Sequence, residues 1–353
     1  MKIIALAAGC GALVAALGAT ALAAPSASSG PGWHVVRRYL IGGSGGWDYL
    51  AIDQRAQRLY VSRSDRVLVL DATDGRRVGE IEGLSGAHGI ALADTLHRGF
   101  ISNGRANTVT VFDPATLKVE QTVAVGAHDP DGIVYDPYSR RVFTFNGGSN
   151  NTSVIDATTG KLVGHIALPG QPEFPVSDGH GHVFDNIESG NELVVIDPLA
   201  MKVTAVWPLK DCRHPSGLAI DPAHHRLFSV CQNSIMAVTD STDGKAIASV
   251  PIGEGPDAVE FDAKHELIFS SNGRSGTLTV VHEDNAGHFR VLANVPTQTS
   301  ARTMALDQLT GRVFLSAAEF GPRPKPTAAD PHPRPPVKPG SFRILSVART
   351  TQH

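Results

Sequence analysis

Residues 132–170 read "GIVYDPYSRRVFTFNGGSNNTSVIDATTGKLVGHIALPG". Apolar runs at "GIVY", "RVFTF", "TSVI" and "LVGHIAL" are short and rich in β-branched and aromatic residues. Between them stand Asp, Pro, Ser, Asn and Gly. Short runs with this punctuation are β-strands joined by tight turns, so the stretch predicts a four-strand meander.

The same phrase returns along the chain. "YLAID" ends at Asp53, "GIALAD" at Asp94, "GIVYD" at Asp136, "FPVSD" at Asp178, "GLAID" at Asp221, "AVEFD" at Asp262 and "TMALD" at Asp307. After each acid comes a second apolar run: "RLYVS", "RGFIS", "RVFTF", "HVFDN", "RLFSV", "LIFSS" or "RVFLS". A third run follows ("VLVLD", "VTVFD", "LVVID"), and in most repeats a fourth. A period of this size built from four strands, A to D, predicts an all-β chain: a seven-bladed β-propeller of four-stranded antiparallel blades. A linear β-solenoid fits less well, because its coils are shorter. The seventh repeat stops at "SVARTTQH" with no fourth strand, whereas "HVVRRYLIGG" at 34–43 has the fourth-strand pattern. The N-terminal strand is therefore expected to complete the last blade and remove the open edge.

The repeats resemble the YVTN-repeat, or YncE-like, propellers of exported bacterial proteins. "YVSR", "FISN" and "FTFN" echo the signature phrase, and "DATTGKLVGHIALPG" echoes its second half. The resemblance spans nearly the whole chain after the N-terminus. It implies the propeller fold and says little about activity. A binding or scaffold role follows, for an unidentified small molecule, peptide, glycan or protein.

The first residues, "MKIIALAAGCGALVAALGATALAAPSASSG", have one Lys, an apolar run and an A-x-A site at Ala21–Ala23. This is the pattern of a secretory signal peptide over 1–23, followed by a spacer at 24–33 and one propeller at 34–353. The expected location is periplasmic or secreted; an uncleaved membrane anchor is the competing reading. No later stretch is long and apolar enough to span a bilayer. With 31 Lys and Arg against 34 Asp and Glu, the chain has no overall basic attraction for nucleic acid. A monomer is expected. Beyond the leader only Cys212 and Cys231 remain, and an exported pair reads as a disulfide. The insert "FGPRPKPTAADPHPRPPVKPGSF" at 320–342 falls between strands B and C of the last repeat. It predicts a long polyproline-type loop at 321–340, either a lid or docking segment or a loop without a role.

Positions that recur from repeat to repeat serve the blade; positions that differ are candidates for a site. The Asp ending strand A recurs and reads as a turn residue. Asn103, Asn146 and Asn272 end strand B and read as turns or bridges to the next strand. His97, His180, His182, His224, His225 and His265 fall in A–B turns and read as solvated turn residues. The column five residues before each strand-A acid differs: Asp48, Gly89, Asp131, Glu173, Ser216, Asp257 and Arg302. Trp47, Tyr49, His88 and His214 lie beside it, and Arg63 comes from a B–C loop. The predicted ligand-binding set is Trp47, Asp48, Tyr49, Arg63, His88, Asp131, Glu173, His214, Asp257 and Arg302. Within it Asp131, Glu173, Asp257 and His88 offer the oxygen and imidazole donors of a hard divalent cation such as Ca or Mg; no other cofactor is implied. A metal-dependent hydrolase, lactonase or lyase is the alternative function, by analogy with gluconolactonase-type and streptogramin-lyase-type propellers. The chain has no C-x-x-C-H, G-x-S-x-G, P-loop or H-E-x-x-H motif.

Overall fold

The computed structural model describes residues 32–284, 287–327, 331, 333 and 335–350. The predicted signal peptide lies outside the described residues. β1 (Gly32–Leu40) opens the chain. β2 (Leu50–Asp53), β3 (Arg58–Asp71), β4 (Arg77–Ala93), β5 (Arg98–Asn103), β6 (Thr108–Phe112) and β7 (Val119–Ala124) form one six-stranded sheet in chain order. β8 (Pro130–Asp136), β9 (Arg141–Asn146), β10 (Asn151–Asp156) and β11 (Lys161–Ala167) form a four-stranded sheet. So do β12 (Pro172–Ser177), β13 (Val183–Ile187), β14 (Glu192–Asp197) and β15 (Lys202–Pro208). The next consists of β16 (Pro215–Asp221), β17 (Arg226–Cys231), β18 (Ile235–Asp240) and β19 (Ala246–Pro251). It is followed by β20 (Pro256–Asp262), β21 (Leu267–Asn272), β22 (Thr277–Asp284) and β23 (His288–Pro296). Finally β24 (Thr303–Asp307), β25 (Arg312–Ala317) and β26 (Arg343–Thr350) are joined by β1, which pairs antiparallel with β26.

The fold is a β-propeller with six sheets, not seven, which corrects the predicted blade count. The sequence repeat occurs seven times, but the first two copies share one hydrogen-bonded sheet. Only Ser64 and Asp65 separate the B and C segments of the first copy, so β3 runs through the corner with Ser64 at φ 53°. β4 likewise continues from the fourth segment of one copy into the first of the next. A Ser64–Ala87 pairing and an Arg66–Glu82 pairing then join β3 and β4 along their length. Repeat period counts supersecondary units; sheet count depends on whether connections interrupt the ladder.

The innermost strands pack side by side, and β24 returns to β2, closing the circle. Apolar residues of facing sheets fill the layers between them. The third residue of every B segment is aromatic: Tyr60, Phe100, Phe143, Phe184, Phe228, Phe269 and Phe314 are all at most 1% exposed. Each such side chain contributes about 2–3 kcal/mol by burial. Trp33 of β1 meets Phe269 edge-on at 5.0 Å, so the closing strand also brings its own apolar anchor. Among the described residues no helix is long and apolar enough to cross a membrane.

Candidate functional site

Strand pairing fixes which residues share one level of the central channel. Asp53, Asp136, Asp221 and Asp307 each pair with an Arg at the start of the next strand, and Asp262 pairs with Leu267. In the second repeat Ala93 holds this position, opposite Arg98. Asp94 instead starts a 3-10 turn over Asp94–Leu96. Counting from Asp94 is therefore one residue late, and the residue at the mouth is His88, not Gly89. The corrected level reads Asp48, His88, Asp131, Glu173, Ser216, Asp257 and Arg302, with a polar side chain from every repeat.

Five of these residues sit in a β-bulge. Register shifts fall between Ala87 and Ile90, Pro130 and Ile133, Pro172 and Pro175, Pro215 and Leu218, and Pro256 and Ala258. An inserted residue breaks the alternation of the pleat and re-aims a side chain. Strands that are otherwise buried can thus each present one polar group at the mouth. The prolines fit because a strand's first residue needs no ladder N–H. The neighbouring copy clamps this level: Ser102 Oγ donates to the Asp131 carbonyl and Asn186 Nδ2 to the Ser216 carbonyl at 2.8 Å, both in bulges, and Ser271 Oγ donates to the Arg302 carbonyl just before β24. Gly132 and Gly217 permit close approach there. A Cβ on Gly132 would lie 2.5 Å from the Glu173 carbonyl oxygen, and one on Gly217 would lie 2.7 Å from that of Asp257.

The side chains form a belt. His88 Nδ1–H donates to Asp48 Oδ2 at 2.6 Å and lies 3.5 Å from Asp131 Oδ1. Arg302 Nη1 bonds Asp257 Oδ2 at 2.7 Å, and its Nη2 lies 3.7 Å from Asp48 Oδ1. Ser216 Oγ reaches Glu173 Oε1 at 3.4 Å and Asp257 Oδ1 at 3.3 Å. Around the circle only the step from Asp131 to Glu173 lacks a polar contact, and the buried Oδ1 of Asp131 has no hydrogen-bond partner. Beside this gap Tyr49 and Phe174 pack ring to ring at 5.1 Å, and Tyr49 OH donates to the Glu173 carbonyl at 3.4 Å. The cavity at the mouth measures about 240 Å³ and is lined by Asp48, Tyr49, His88, Asp131, Glu173, Phe174, Asp257 and Arg302, with Ala258, Thr303 and Met304.

Four carboxylates face two cationic side chains here. Burial, then the negative charge of Asp48, lifts the Asp131 carboxyl to about 7 despite His88. Burial and the charges of Asp131 and Asp257 hold Glu173 well above the usual carboxylate range. Burial opposes a charged His88, but the Asp48 hydrogen bond with the Asp131 and Asp48 charges outweighs it and lifts the imidazole to about 9. Arg302 is held firmly protonated, chiefly by Asp257. Asp131 and Glu173 therefore take up protons more readily than surface carboxyls do, and an incoming cation opposes that uptake. One further acid stands in the innermost layer. Glu260 on β20 takes a register position occupied by Ala or Val in the other repeats; burial alone lifts it to about 8.

Seven of the ten predicted ligand-binding residues line this cavity. Trp47, Arg63 and His214 do not, which corrects that part of the expectation. Trp47 packs between Phe320 and Phe342, at 5.9 and 5.5 Å. Arg63 is 1% exposed and donates to the carbonyls of Gly42, Ser44 and Gly46, with Phe342 under its guanidinium at 3.9 Å. It organises the loop before β2. His214 is exposed, and its backbone N–H bonds Asn191 Oδ1 at 2.7 Å. The predicted metal set is also revised. His88 and Asp131 come together with Asp48, their ligand atoms all within 4.8 Å, while Glu173 and Asp257 stand outside this group. Phe174 escaped sequence reading, although a signal existed: Gly89, Gly132 and Gly217 share its register, and only Tyr49 and Phe174 bring rings there. Cys212 and Cys231 form a disulfide with Cα atoms 5.4 Å apart, tying the loop before β16 to the end of β17.

No family model and no curated protein matches the chain. Solved structures do. A hydrazine synthase of Kuenenia stuttgartiensis aligns with a TM-score of 0.69 at 14% identity, over 77% of this chain and 92% of that one. The WD40 repeats of RRP9 align with a TM-score of 0.73 at 9% identity, over 90% of this chain and 98% of that one. A structure titled U3-55K aligns with a TM-score of 0.72 at 10% identity, over 90% and 99%. At such identities these likenesses show the β-propeller fold alone.

Proposed function

We propose that this chain is an exported binding propeller of the YncE-like type, and that its axial mouth holds a compact organic cation such as an alkylammonium or guanidinium group. The observation that carries this reading is the gap in the polar belt. Asp131, whose Oδ1 has no hydrogen bond and only the 3.5 Å ion-pair contact with His88, lines a 240 Å³ cavity together with Glu173 and the Tyr49–Phe174 ring pair. A positive nitrogen there gains charge-assisted hydrogen bonds and an aromatic face. No catalytic motif accompanies it, and the chain's own groups suffice for binding. Export rests on the N-terminal apolar run with its A-x-A site and on the disulfide; a mature protein beginning near residue 24 is its direct check.

Calorimetry with a series of alkylammonium and guanidinium salts tests the ligand class. Binding is expected to release protons and to tighten between pH 6 and pH 8, because below about 7 a proton competes for Asp131. Asp131→Asn should weaken binding roughly ten- to hundredfold, the equivalent of one charge-assisted hydrogen bond at about 1.5–3 kcal/mol. Neutral isosteres binding as tightly as the cations would refute the proposal.

A second reading has its own observation. Asp48, His88 and Asp131 offer three ligand atoms within 4.8 Å, a donor set suited to a divalent ion. Such an ion would polarise a carbonyl or activate water in a hydrolase or lyase. Melting of the chelator-treated protein with and without Ca²⁺, Mg²⁺ or Zn²⁺ separates the readings. Saturable stabilisation that His88→Ala abolishes favours the metal.

A further inference from the structure

At the opposite ends of the strands lies a second cluster. Asp221 ends β16, whose other end carries Ser216 of the mouth. In the turn after it, His224 Nδ1 meets Asp221 Oδ2 at 2.6 Å. The same contact recurs after β20, where His265 Nδ1 meets Asp262 Oδ2 at 2.7 Å. Both turns read D-x-x-H, so the contact alone is a turn device. Among the described residues only the first copy has a third donor. Glu283 of β22, from the neighbouring sheet, brings a carboxylate oxygen within 4.8 Å of the Asp221 and His224 ligand atoms. The matching register position on β26 is Arg349, a cation, because Val313 pairs with Val347 as Ile268 pairs with Val281.

Burial sets the Glu283 carboxylate apart from an ordinary surface acid. The Asp221 and Glu283 side chains are 2% and 9% exposed. Arg226 Nε holds Glu283 Oε1 at 3.2 Å, and its Nη1 lies 3.7 Å from Asp240 Oδ2. The other oxygen, Glu283 Oε2, is buried and has no hydrogen-bond partner. Leaving a buried acceptor unmade costs about 1–3 kcal/mol, more when it is charged, and Arg226 alone does not balance Asp221, Asp240 and Glu283. His224 is 55% exposed, so the cluster opens to solvent on one side.

We infer that Asp221, His224 and Glu283 form a binding site for a divalent metal ion of the zinc type, independent of the axial mouth. Two carboxylates and one imidazole match the oxygen and nitrogen donors such an ion takes, with water at the open fourth position. The ion takes up the His224 Nδ1 and Asp221 Oδ2 atoms that now face each other at 2.6 Å, and any proton between them leaves to water. Bonds of about 2.0–2.1 Å then draw all three ligands inward. Its place between β16 and β22 makes it a clip across two adjacent sheets.

The test is Zn²⁺ titration of the full chain after chelator treatment, in a His88→Ala background that removes the axial cluster. Calorimetry gives stoichiometry, and Co²⁺ absorption reports a nitrogen ligand. One equivalent is expected in this background. Adding His224→Ala or Glu283→Gln should weaken it by more than the roughly tenfold that even an outer-shell change produces. His265→Ala should leave it unchanged. The proposal fails if the His88→Ala protein binds no Zn²⁺, if His224→Ala and Glu283→Gln keep its affinity, or if His265→Ala costs as much as His224→Ala. His224 is mostly exposed, so its variant should fold; unchanged circular dichroism checks this. Failure here leaves the organic-cation reading of the mouth untouched, because that reading involves none of these residues.

Discussion

The two ends of the innermost strands use the same residue types for different ends. At the turn-bearing end, Asp53, Asp178, Asp221, Asp262 and Asp307 each accept a backbone N–H from two residues on. The turn takes one oxygen of each carboxylate; at Asp221 the other, Oδ2, faces His224. At the mouth, Asp48, Asp131, Glu173 and Asp257 line one cavity; the last three stand in bulges, where burial and neighbouring negative charge push them toward neutrality. A carboxylate whose lone pairs are satisfied locally stabilises the fold; one held without partners is available to a ligand. The same contrast separates repetition from divergence, since the turn acids recur in register and the mouth residues change at every step.

The largest effect expected from this comparison is on Asp136. It is fully buried, takes Ser139 N–H at 2.8 Å and Ser177 Oγ of the next sheet at 2.6 Å, and so ties two sheets together. Asp136→Ala should cost about 2–3 kcal/mol, since donors are left unmade in a dry place. Asp131→Asn at the mouth should cost less than about 0.5 kcal/mol or stabilise, because it removes a carboxyl whose charged form burial and the Asp48 charge disfavour. Urea unfolding of the two variants decides. Equal losses would erase the distinction between the two ends.

Strand order, the closing β1 and the acids at the mouth were readable because each rests on local pattern: alternation, turn residues and comparison among repeats. The bridging role of the B-segment asparagines was readable too. Asn103, Asn146 and Asn272 each donate across to a hydroxyl on the next strand at 2.9 Å. What escaped depends on register or burial. Asp94 mimics the other acids in sequence, yet the ladder assigns its place to Ala93, and one residue's slip exchanged Gly89 for His88. The merging of two repeats into one sheet depends on a two-residue corner at Ser64 and Asp65. Trp47 and Arg63 have the composition of ligand residues, but both pack against Phe342, which leaves Arg63 buried and Trp47 half-buried. His224 looked like a solvated turn because its third partner, Glu283, lies 59 residues away in sequence and is brought in only by the neighbouring sheet.

A middle-sized effect is expected at Glu260, where the comparison can be sharpened by pH. Its folded value of about 8 lies above the ordinary 4.5, with burial as the cause. The stability that goes with a neutral Glu260 is therefore present below about 4.5 and is lost as pH rises through 8. Glu260→Gln should match the parent near pH 4 and exceed it by on the order of 1–2 kcal/mol at pH 9, discounted for its remaining water contact. Denaturation across pH 4–9 measures the difference. A constant offset would mean that Glu260 does not titrate in this range.

The smallest effect on stability should come from the proline-rich insert, whose base packs on the loop next to the mouth. Its base is built: Phe320 bridges Val337, Gly321 N–H donates to the Pro336 carbonyl at 2.8 Å, and Glu319 pairs with Lys338 at 3.4 Å and Arg343 at 2.9 Å. Phe320 stacks on Trp47, next in sequence to Asp48, so this base supports one side of the mouth. Beyond it, proline withholds backbone donors and favours extended chain over a packed strand. Replacing residues 323–334 by Asn-Gly keeps the base and closes it with a two-residue hairpin turn. Loop shortening of this kind changes closure entropy by only about 1 kcal/mol or less, so melting should hardly move. Binding at the mouth is the informative readout. If the insert is a lid, the shortened protein should bind the same organic cations with a faster off-rate and an unchanged dependence on Asp131. Unchanged rates would assign the whole recognition task to the belt between Asp48 and Arg302.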